Sequence, residues 1–178
     1  TIETPVIEKT KRNNTLECRD ISFTHHSRSS SLSPFVLTVP HFHIKSGDIV
    51  ALMGPNGSGK STFSRLLCGL DSFDKGRIEI DGEEANREKL ERSVGYMFQN
   101  PDYQIFLPTV KDELYYSLSL LKITEKERER RLEETATLFS LNLSSTASIM
   151  SYGERKRLQS AIYYSLDRPF YILDELDS

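Results

Sequence analysis

Eight consecutive residues carry the strongest chemical signal in this chain of 178 residues. They read Gly54-Pro55-Asn56-Gly57-Ser58-Gly59-Lys60-Ser61 and match the pattern G-x-x-x-x-G-K-[ST] in full. Glycines let successive backbone N–H groups turn inward around an anion, and a helix that begins near Lys60 adds its positive end. Lys60 can reach the β- and γ-phosphates, Ser61 can ligate Mg²⁺, and Thr62 is placed at the α-phosphate. The residues therefore predict a nucleoside-triphosphate site, although a glycine-rich turn ahead of a helix is the plainer alternative.

Two acids at the end of an apolar run could hold the metal ion that a phosphate loop requires. The run reads Tyr171-Ile172-Leu173-Asp174-Glu175, and an acid at the end of a buried strand holds the metal in phosphate-loop enzymes. We expect Asp174 to orient the Mg²⁺ shell opposite Ser61, and Glu175 to polarise the attacking water. A strand that ends in two solvated acids is common, so this interpretation depends on the phosphate loop upstream.

Two further segments have the chemistry to complete a nucleotide site. Ser151 is followed three residues later by Glu154, a capping box that predicts a helix start. The amides and the hydroxyl at that positive helix end can bind a phosphate, although an ordinary capped helix is the alternative. Gln99 ends an apolar run just before Asn100-Pro101, where a plain polar strand end is the alternative.

In this order, the four segments resemble a nucleotide-binding subunit of the ATP-binding-cassette (ABC) family over roughly residues 14–178. The family signature Leu-Ser-Gly-Gly-Gln stands here as Met150-Ser151-Tyr152-Gly153-Glu154. The departures are Tyr152 and Glu154, whereas Ser151 and Gly153 keep the family's residues. The other segments are the phosphate loop, the glutamine-loop segment YMFQN and the acid strand YILDE.

The resemblance implies an ATPase that powers a membrane transporter, with ATP as substrate and Mg²⁺ as cofactor. It implies catalytic roles for Glu175, Gln99 and Lys60, and a metal held by Ser61, Asp174 and Gln99. Residues 151–154 would bind the nucleotide of a second ABC subunit, identical or different, and residues 99–110 are our expected docking surface for an integral membrane subunit. The chain would then work in the cytoplasm, peripherally on the cytoplasmic face of the membrane.

The stretch F-Q-N-P-D-x-Q at residues 98–104 is similar to the ATPases of energy-coupling-factor importers. Those take up vitamins or transition-metal ions, so the resemblance favours an importer. A soluble ABC ATPase of translation or DNA repair, or a truncated nucleotide-binding module without turnover, are the alternatives.

Several positions depart from the family pattern. The aromatic residue that stacks on adenine is missing after Phe23, and His25 stands at its place, with His26 as a substitute. Leu176 replaces the usual proline after the second acid. The family's later aspartate loop and histidine do not occur before Ser178, and we expect a fragment rather than a degenerate relative. His41 and His43 form either a metal pair or, more simply, two edge-strand histidines.

Composition argues against nucleic-acid-binding, disulfide-rich and membrane-spanning proteins. The formal net charge of −3 provides no overall basic field for nucleic acid, so no nucleic-acid partner is expected. Two cysteines are too few for a disulfide scaffold and indicate a reducing compartment. Neither a signal sequence nor an apolar run long enough to cross a bilayer is apparent.

The elements that must position these residues alternate between strand and helix, which predicts an α/β layered domain. We expect an α/β fold with a phosphate-loop core, an antiparallel β subdomain, and a helical subdomain at about 105–165 that carries the signature. A flexible arm is expected over 1–14 and the nucleotide-binding domain over 15–178, with its C-terminal part missing. The predicted strands are 16–23, 35–44, 49–53, 76–82, 94–99 and 170–176. The predicted helices follow the phosphate loop, cover 83–92, and begin at Thr109, Thr124 and Ser151.

Overall fold

The computed structural model describes residues 13–25 and 34–174, which form two compact units. A sheet unit contains the described residues up to Tyr96 together with Pro169–Ile172, and a helical unit contains Met97–Arg168 with Leu173 and Asp174. The strands are β1 (Thr15–His25), β2 (Phe35–Lys45), β3 (Lys75–Ile80), β4 (Glu83–Glu84), β5 (Val94–Met97) and β6 (Phe170–Leu173). The helices are α1 (Lys60–Leu67), α2 (Arg87–Ser93), α3 (Val110–Ser119), α4 (Glu125–Leu138) and α5 (Tyr152–Leu166). Single 3₁₀ turns cover Pro101–Tyr103 and Ala147–Ile149.

The sheet unit is built on four antiparallel strands in the order β2-β1-β3-β4. Leu16 of β1 lies opposite Ile44 on one side and Ile80 on the other. Leu16 and Cys18 are buried in the predicted alternation, and a register shift between Arg19 and Ser22 moves the next buried residue to Ile21. β2 lies at the edge of the sheet, which confirms the prediction from Pro40, because a proline cannot donate to a central ladder.

Helix α1 packs its apolar side on this unit. Phe63 meets Phe42 of β2 edge to face, with ring centroids 5.3 Å apart. Leu66 is fully buried and Leu67 nearly so, which follows from apolar residues at helical spacing after the phosphate loop. The packing anchors the first turn of α1, and with it the end of the phosphate loop, on the sheet.

The helical unit has its own core between α3, α4 and α5. Leu114, Leu118 and Leu158 are completely buried at its centre. Thr109 and Asp112 form a capping box at the start of α3, and Ser151 and Glu154 form one at the start of α5. These helix starts confirm the sequence prediction, and α5 ends at Leu166 as expected.

Five local predictions are wrong or only half right. Residues 49–53 form no strand, and Ile49 is 99% exposed, because no strand of the described residues pairs with this segment. The helix predicted over 83–92 begins only at Arg87, since Glu83 and Glu84 pair with β3. Thr124 caps α4, but the carboxylate of Glu127 bonds Arg130 and Arg131 instead of completing a capping box. The strands predicted over 94–99 and 170–176 end at Met97 and Leu173.

The predicted N-terminal arm overlaps the described residues only at its end. Asn14 is not loose there, because its backbone N–H donates to Ser46 Oγ at 3.2 Å and its side chain donates to Asp81 at 2.8 Å. The remainder of the arm at 1–12, and also His26, Glu175 and Leu176, lie outside the described residues.

Two further sequence expectations concern the cysteines and the membrane. Cys18 and Cys68 are buried free thiols, and burial raises the pKa of Cys18 to about 12, so neither is poised as a thiolate ligand. None of the helices formed by the described residues has both the length and the apolarity that crossing a bilayer requires.

Candidate nucleotide-binding site

The phosphate loop is folded around the amine of its own lysine. Lys60 Nζ donates to the carbonyl oxygens of Gly54 at 2.8 Å and Pro55 at 3.0 Å. The Ser58 amide donates to Pro55 at 3.2 Å and closes the turn. Gly57 and Gly59 have φ angles of +79° and +96°, a region that only glycine enters without strain. Residues 54–59 thus form a curled loop, and Lys60, the first residue of α1, directs its amine to the carbonyl groups of that loop.

Helix α1 begins directly at the end of this loop with no side-chain cap. Its N-cap is Gly59, which offers no oxygen to the first-turn amides, and no acid lies in the first turn. The amides that a helix leaves unpaired at its start carry partial positive charge. Ser61 is exposed and Thr62 half-buried in that first turn. The start of α1 therefore suits an anion such as a phosphate group.

A wall of two apolar side chains closes one side of the loop, and sequence reasoning missed it. A Cβ on Gly59 would lie 2.9 Å from the tip of the Phe35 ring and 3.0 Å from a methyl group of Leu37. Both residues belong to β2, and Phe35 pairs in register with His25 at the exposed end of β1. The available signal was that Phe35 is an aromatic residue at the start of a strand adjoining His25. The stacking role of His25 stays a prediction.

The predicted metal ligands lie on three different segments. Ser61 belongs to the sheet unit, whereas Gln99 and Asp174 belong to the helical unit. The Asp174 amide donates to the Met97 carbonyl at 3.1 Å, which holds the end of β6 beside the end of β5. Hydroxyl, carboxylate and amide oxygens are the hard ligands that Mg²⁺ takes, usually together with phosphate oxygens and water. Each of these side chains is thus of a chemical type that Mg²⁺ takes as a ligand.

The signature segment forms the capped start of α5. Ser151 accepts from the Glu154 amide at 3.3 Å, and its own amide and hydroxyl donate to the Glu154 carboxylate at 2.8 and 2.7 Å. The Ser151 hydroxyl, followed by its amide, lowers the pKa of Glu154. Tyr152 and Gly153 are exposed, and a Cβ on Gly153 would meet nothing within 4 Å. The segment is an accessible helix end with its serine already oriented.

Gln99 lies beside this helix within the helical unit. Gln99 is exposed, and its backbone carbonyl oxygen accepts hydrogen bonds from Lys156 Nζ and from the Tyr152 hydroxyl. The structure thus brings Gln99 and the signature helix together, although the contacting residues are 53 and 57 positions apart in the sequence.

A buried carboxylate, also missed from the sequence, shapes the loop after Gln99. Glu113 is 1% exposed, and its Oε1 accepts from the amides of Phe106 and Leu107, each at 2.5 Å. Burial raises the pKa of Glu113, and the two amides oppose that shift. The signal was present in the sequence, because Glu113 lies on the same helix face as Val110, Leu114 and Ser117.

The two histidines of β2 favour the simpler reading. His41 Nε2 lies 2.8 Å from Glu17 Oε1, and Arg19 lies 2.8 Å from the same oxygen. Among residues 13–25 and 34–174, no three histidine, cysteine or acidic side chains are grouped to hold a metal ion. His41 thus belongs to an ion-pair group on an exposed sheet face.

Comparison with known sequences places these features in a family. A family model described as "ABC transporter" matches residues 37–178. An ABC transporter ATP-binding protein of Archaeoglobus fulgidus is 36% identical over 165 residues, which cover 90% of this chain and 67% of the relative. The energy-coupling factor transporter ATP-binding protein EcfA1 of Mycoplasmopsis synoviae is 34% identical over 160 residues, 87% of this chain and 60% of the relative. The chain thus spans about two thirds or less of these relatives.

Solved structures of ABC ATPases have a fold similar to that of this chain. The CbiO1 structure from Clostridium perfringens, described as part of the ABC transporter complex CbiONQ, has a TM-score of 0.75 at 25% identity and covers 92% of this chain and 66% of its own. The ATP-binding cassette MJ0796, solved with ADP and phosphate, has a TM-score of 0.73 at 23% identity, covers 92% of this chain and 76% of its own, and shows likeness of fold alone. With the family model matching most of its length, this chain belongs to the ABC transporter family.

Proposed function

We propose that this chain is the ATP-binding and ATP-hydrolysing part of a membrane transporter. The geometry of the phosphate loop carries the proposal, because Lys60 Nζ bonds carbonyl oxygens of the loop at 2.8 and 3.0 Å beside an uncapped helix start. A triphosphate offers that ammonium charged acceptors, which form stronger hydrogen bonds than neutral carbonyls. Residues 54–62 would hold the phosphates, with His25 near the base.

Hydrolysis follows from the roles proposed for four residues. Water attacks the γ-phosphorus in line while the bond to the β–γ bridging oxygen breaks, which yields ADP and phosphate. Glu175 would take the proton of the water, and Gln99 would orient it. Ser61, Asp174 and Gln99 would hold Mg²⁺, which supplies positive charge for the phosphate oxygens.

A second ABC subunit would complete the site. The signature residues Ser151 and Gly153 would face the γ-phosphate bound by the partner. Tyr152 lies between them and Glu154 follows. The exposed position of this helix start and the orientation of Ser151 by Glu154 support the assignment. An anion at a helix N-terminus is favoured by the helix dipole, so ATP binding would draw two subunits together.

The membrane subunit is proposed to dock on residues 99–110. Tyr103 and Phe106 in this segment are 76% and 68% exposed, so two aromatic rings of one short segment are accessible to a partner. Phe106 stacks edge to face on Tyr116, with centroids 5.8 Å apart, and its backbone is held by Glu113. A firmly held aromatic edge suits a cytoplasmic segment of an integral membrane protein. The chain would then act at the cytoplasmic face of the membrane.

Import of a vitamin or a transition-metal ion is the proposed task. The stretch at 98–104 and the likeness to EcfA1 and CbiO1 support an importer. Co-purification with a hydrophobic membrane subunit is expected, and a chain that purifies only with ribosomal or DNA-repair proteins would favour the soluble alternative.

The decisive experiment compares lysine variants of matched chemistry. Lys60→Met should weaken MgATP binding about 10- to 100-fold, the loss expected for a charged hydrogen bond to phosphate. Lys75→Met removes an exposed lysine of the same unit and should leave the affinity within twofold of the original protein. Unchanged affinity of Lys60→Met, measured with a fluorescent ATP analogue, would refute the phosphate-loop assignment.

Turnover is tested separately from binding. Glu175→Gln should bind MgATP normally, release phosphate at least about 100-fold more slowly, and accumulate as a dimer. Phosphate release at the original rate would remove Glu175 as the base.

A further inference from the structure

One face of α5 is fastened to the segment that carries Gln99. Tyr152, Lys156, Gln159 and Tyr163 recur at spacings of four, three and four residues, so their side chains lie along one stripe of the helix. Lys156 Nζ and the Tyr152 hydroxyl, the latter at 3.4 Å, both donate to the Gln99 carbonyl. Lys156 also lies over the Tyr152 ring, 5.7 Å from its centroid.

Further along the same face of α5, Gln159 and Tyr163 hold the segment through a polar network. Gln159 has no exposed surface, and its Nε2 donates to the Phe98 carbonyl at 3.0 Å and to Gln104 Oε1. The Gln104 amide group in turn donates to the Tyr163 hydroxyl. Pulling the segment away from α5 would leave the Nε2 donor of the fully buried Gln159 unpaired, which is costly.

A charged contact secures the turn between these points. The Arg155 guanidinium lies 2.9 Å from the carboxylate of Asp102, in the 3₁₀ turn that follows Gln99. Inside that turn, the amides of Tyr103 and Gln104 bond Asn100 and Pro101. Residues 98–104 are therefore locally closed and attached to α5 at several points.

We infer that Lys156 is a positioning residue for Gln99, and that Gln159, which bonds Phe98 and Gln104, helps to hold the same segment on α5. The signature residue Ser151 and Gln99 then move as one body, since both are attached to the first three turns of α5. Under the proposed function, contact of Ser151 with the partner's nucleotide would be transmitted to Gln99 through α5. This inference rests on the proposed function for its consequence in turnover, but the attachment itself is measurable without nucleotide.

The test replaces Lys156 and reads two quantities. Lys156→Met should speed amide hydrogen exchange at residues 102–105 about five- to tenfold, the effect of losing a hydrogen bond that restrains the segment. It should lower kcat for MgATP about tenfold while KM and the ATP affinity of the isolated subunit change less than twofold. Lys156→Arg, which keeps a cationic donor, should restore both readouts.

Lys111→Met is the matched control, because Lys111 is an exposed lysine of the same unit on α3. It should leave exchange and kcat unchanged. Unaltered exchange in Lys156→Met, or an equal change in Lys111→Met, would overturn the positioning role. A fall in kcat without faster exchange would also overturn it, since Lys156 would then act by another route. If the original protein shows no turnover, the proposed function fails, while the exchange result still decides the attachment.

Discussion

Replacement of Gly59 by alanine tests how the phosphate loop is built. Gly59 has φ +96° and ψ +9° and precedes the first residue of α1. An alanine Cβ would lie 2.9 Å from the Phe35 ring and 3.0 Å from Leu37. Gly57 has a similar left-handed backbone at φ +79°, but a Cβ there would meet nothing within 4 Å. The two glycines therefore separate backbone strain from crowding.

The expected magnitudes follow from these two terms. Gly57→Ala should lower the free energy of unfolding by about 1 kcal/mol, the cost of a left-handed non-glycine residue. Gly59→Ala carries the same cost and adds at most about 1 kcal/mol, the low end for overpacking, because the new methyl group meets the outer ends of two half-buried side chains that can shift. Its total should be about 1–2 kcal/mol in the absence of nucleotide.

The assay is urea unfolding of the nucleotide-free protein followed by circular dichroism, with amide hydrogen exchange in α1 assigning the loss to the sheet unit. Phe35→Leu removes the ring tip that the Gly59 methyl group would meet. A double-mutant cycle between Gly59→Ala and Phe35→Leu should give a favourable coupling of about 1 kcal/mol, because the smaller side chain relieves the crowding. Gly57→Ala with Phe35→Leu should be additive.

Two results would refute this reasoning. Equal destabilisation by Gly59→Ala and Gly57→Ala would show that the wall of Phe35 and Leu37 does not confine the loop. Additivity of Gly59→Ala with Phe35→Leu would place the cost of the methyl group elsewhere.

Two other predictions concern the helical unit. Burial raises the pKa of Glu113 above its ordinary value of 4.5, so the stability that this group contributes is present below pH 4.5 and is lost as the pH rises through the raised pKa. Glu113→Gln should therefore gain stability relative to the original protein between pH 4.5 and pH 7 in urea unfolding, and a difference that does not change with pH would contradict the argument. Leu114→Ala should cost about 2–5 kcal/mol because the side chain is fully buried, whereas Leu120→Ala, at 61% exposure, should cost under about 1 kcal/mol. Similar losses in the two alanine variants would argue against the core of α3, α4 and α5.

Local chemistry was readable from the sequence where neighbours along the chain decide the outcome. The capping boxes at Thr109 and Ser151 involve residues three positions apart, so the pattern predicts the helix starts without knowledge of the fold. Pro40 predicted an edge strand because a missing donor is a property of the residue itself.

Predictions failed where a competing partner took up a side chain or a backbone edge, even though each such partner lies within seven residues along the chain. Glu127 has the spacing of a capping box, but Arg130 and Arg131 compete for its carboxylate. Glu83 and Glu84 belong to a polar segment that suits a helix, yet β3 supplies backbone partners that make them a strand. Glu113 lies on the apolar face of α3, but the pattern alone does not show that the amides of Phe106 and Leu107 supply its partners.

By itself, the sequence determined the chemistry of the phosphate loop, since the glycines, Lys60 and the helix after them act within a few residues of one another. Tertiary structure alone decided that residues 49–53 lie exposed and that the Phe35 ring lies against Gly59. It also decided that Lys156 donates to the backbone carbonyl of Gln99. The physical reason is that burial and hydrogen-bond partners depend on which distant segments meet. A run of residue types specifies its own backbone preferences but not the surface that will cover it.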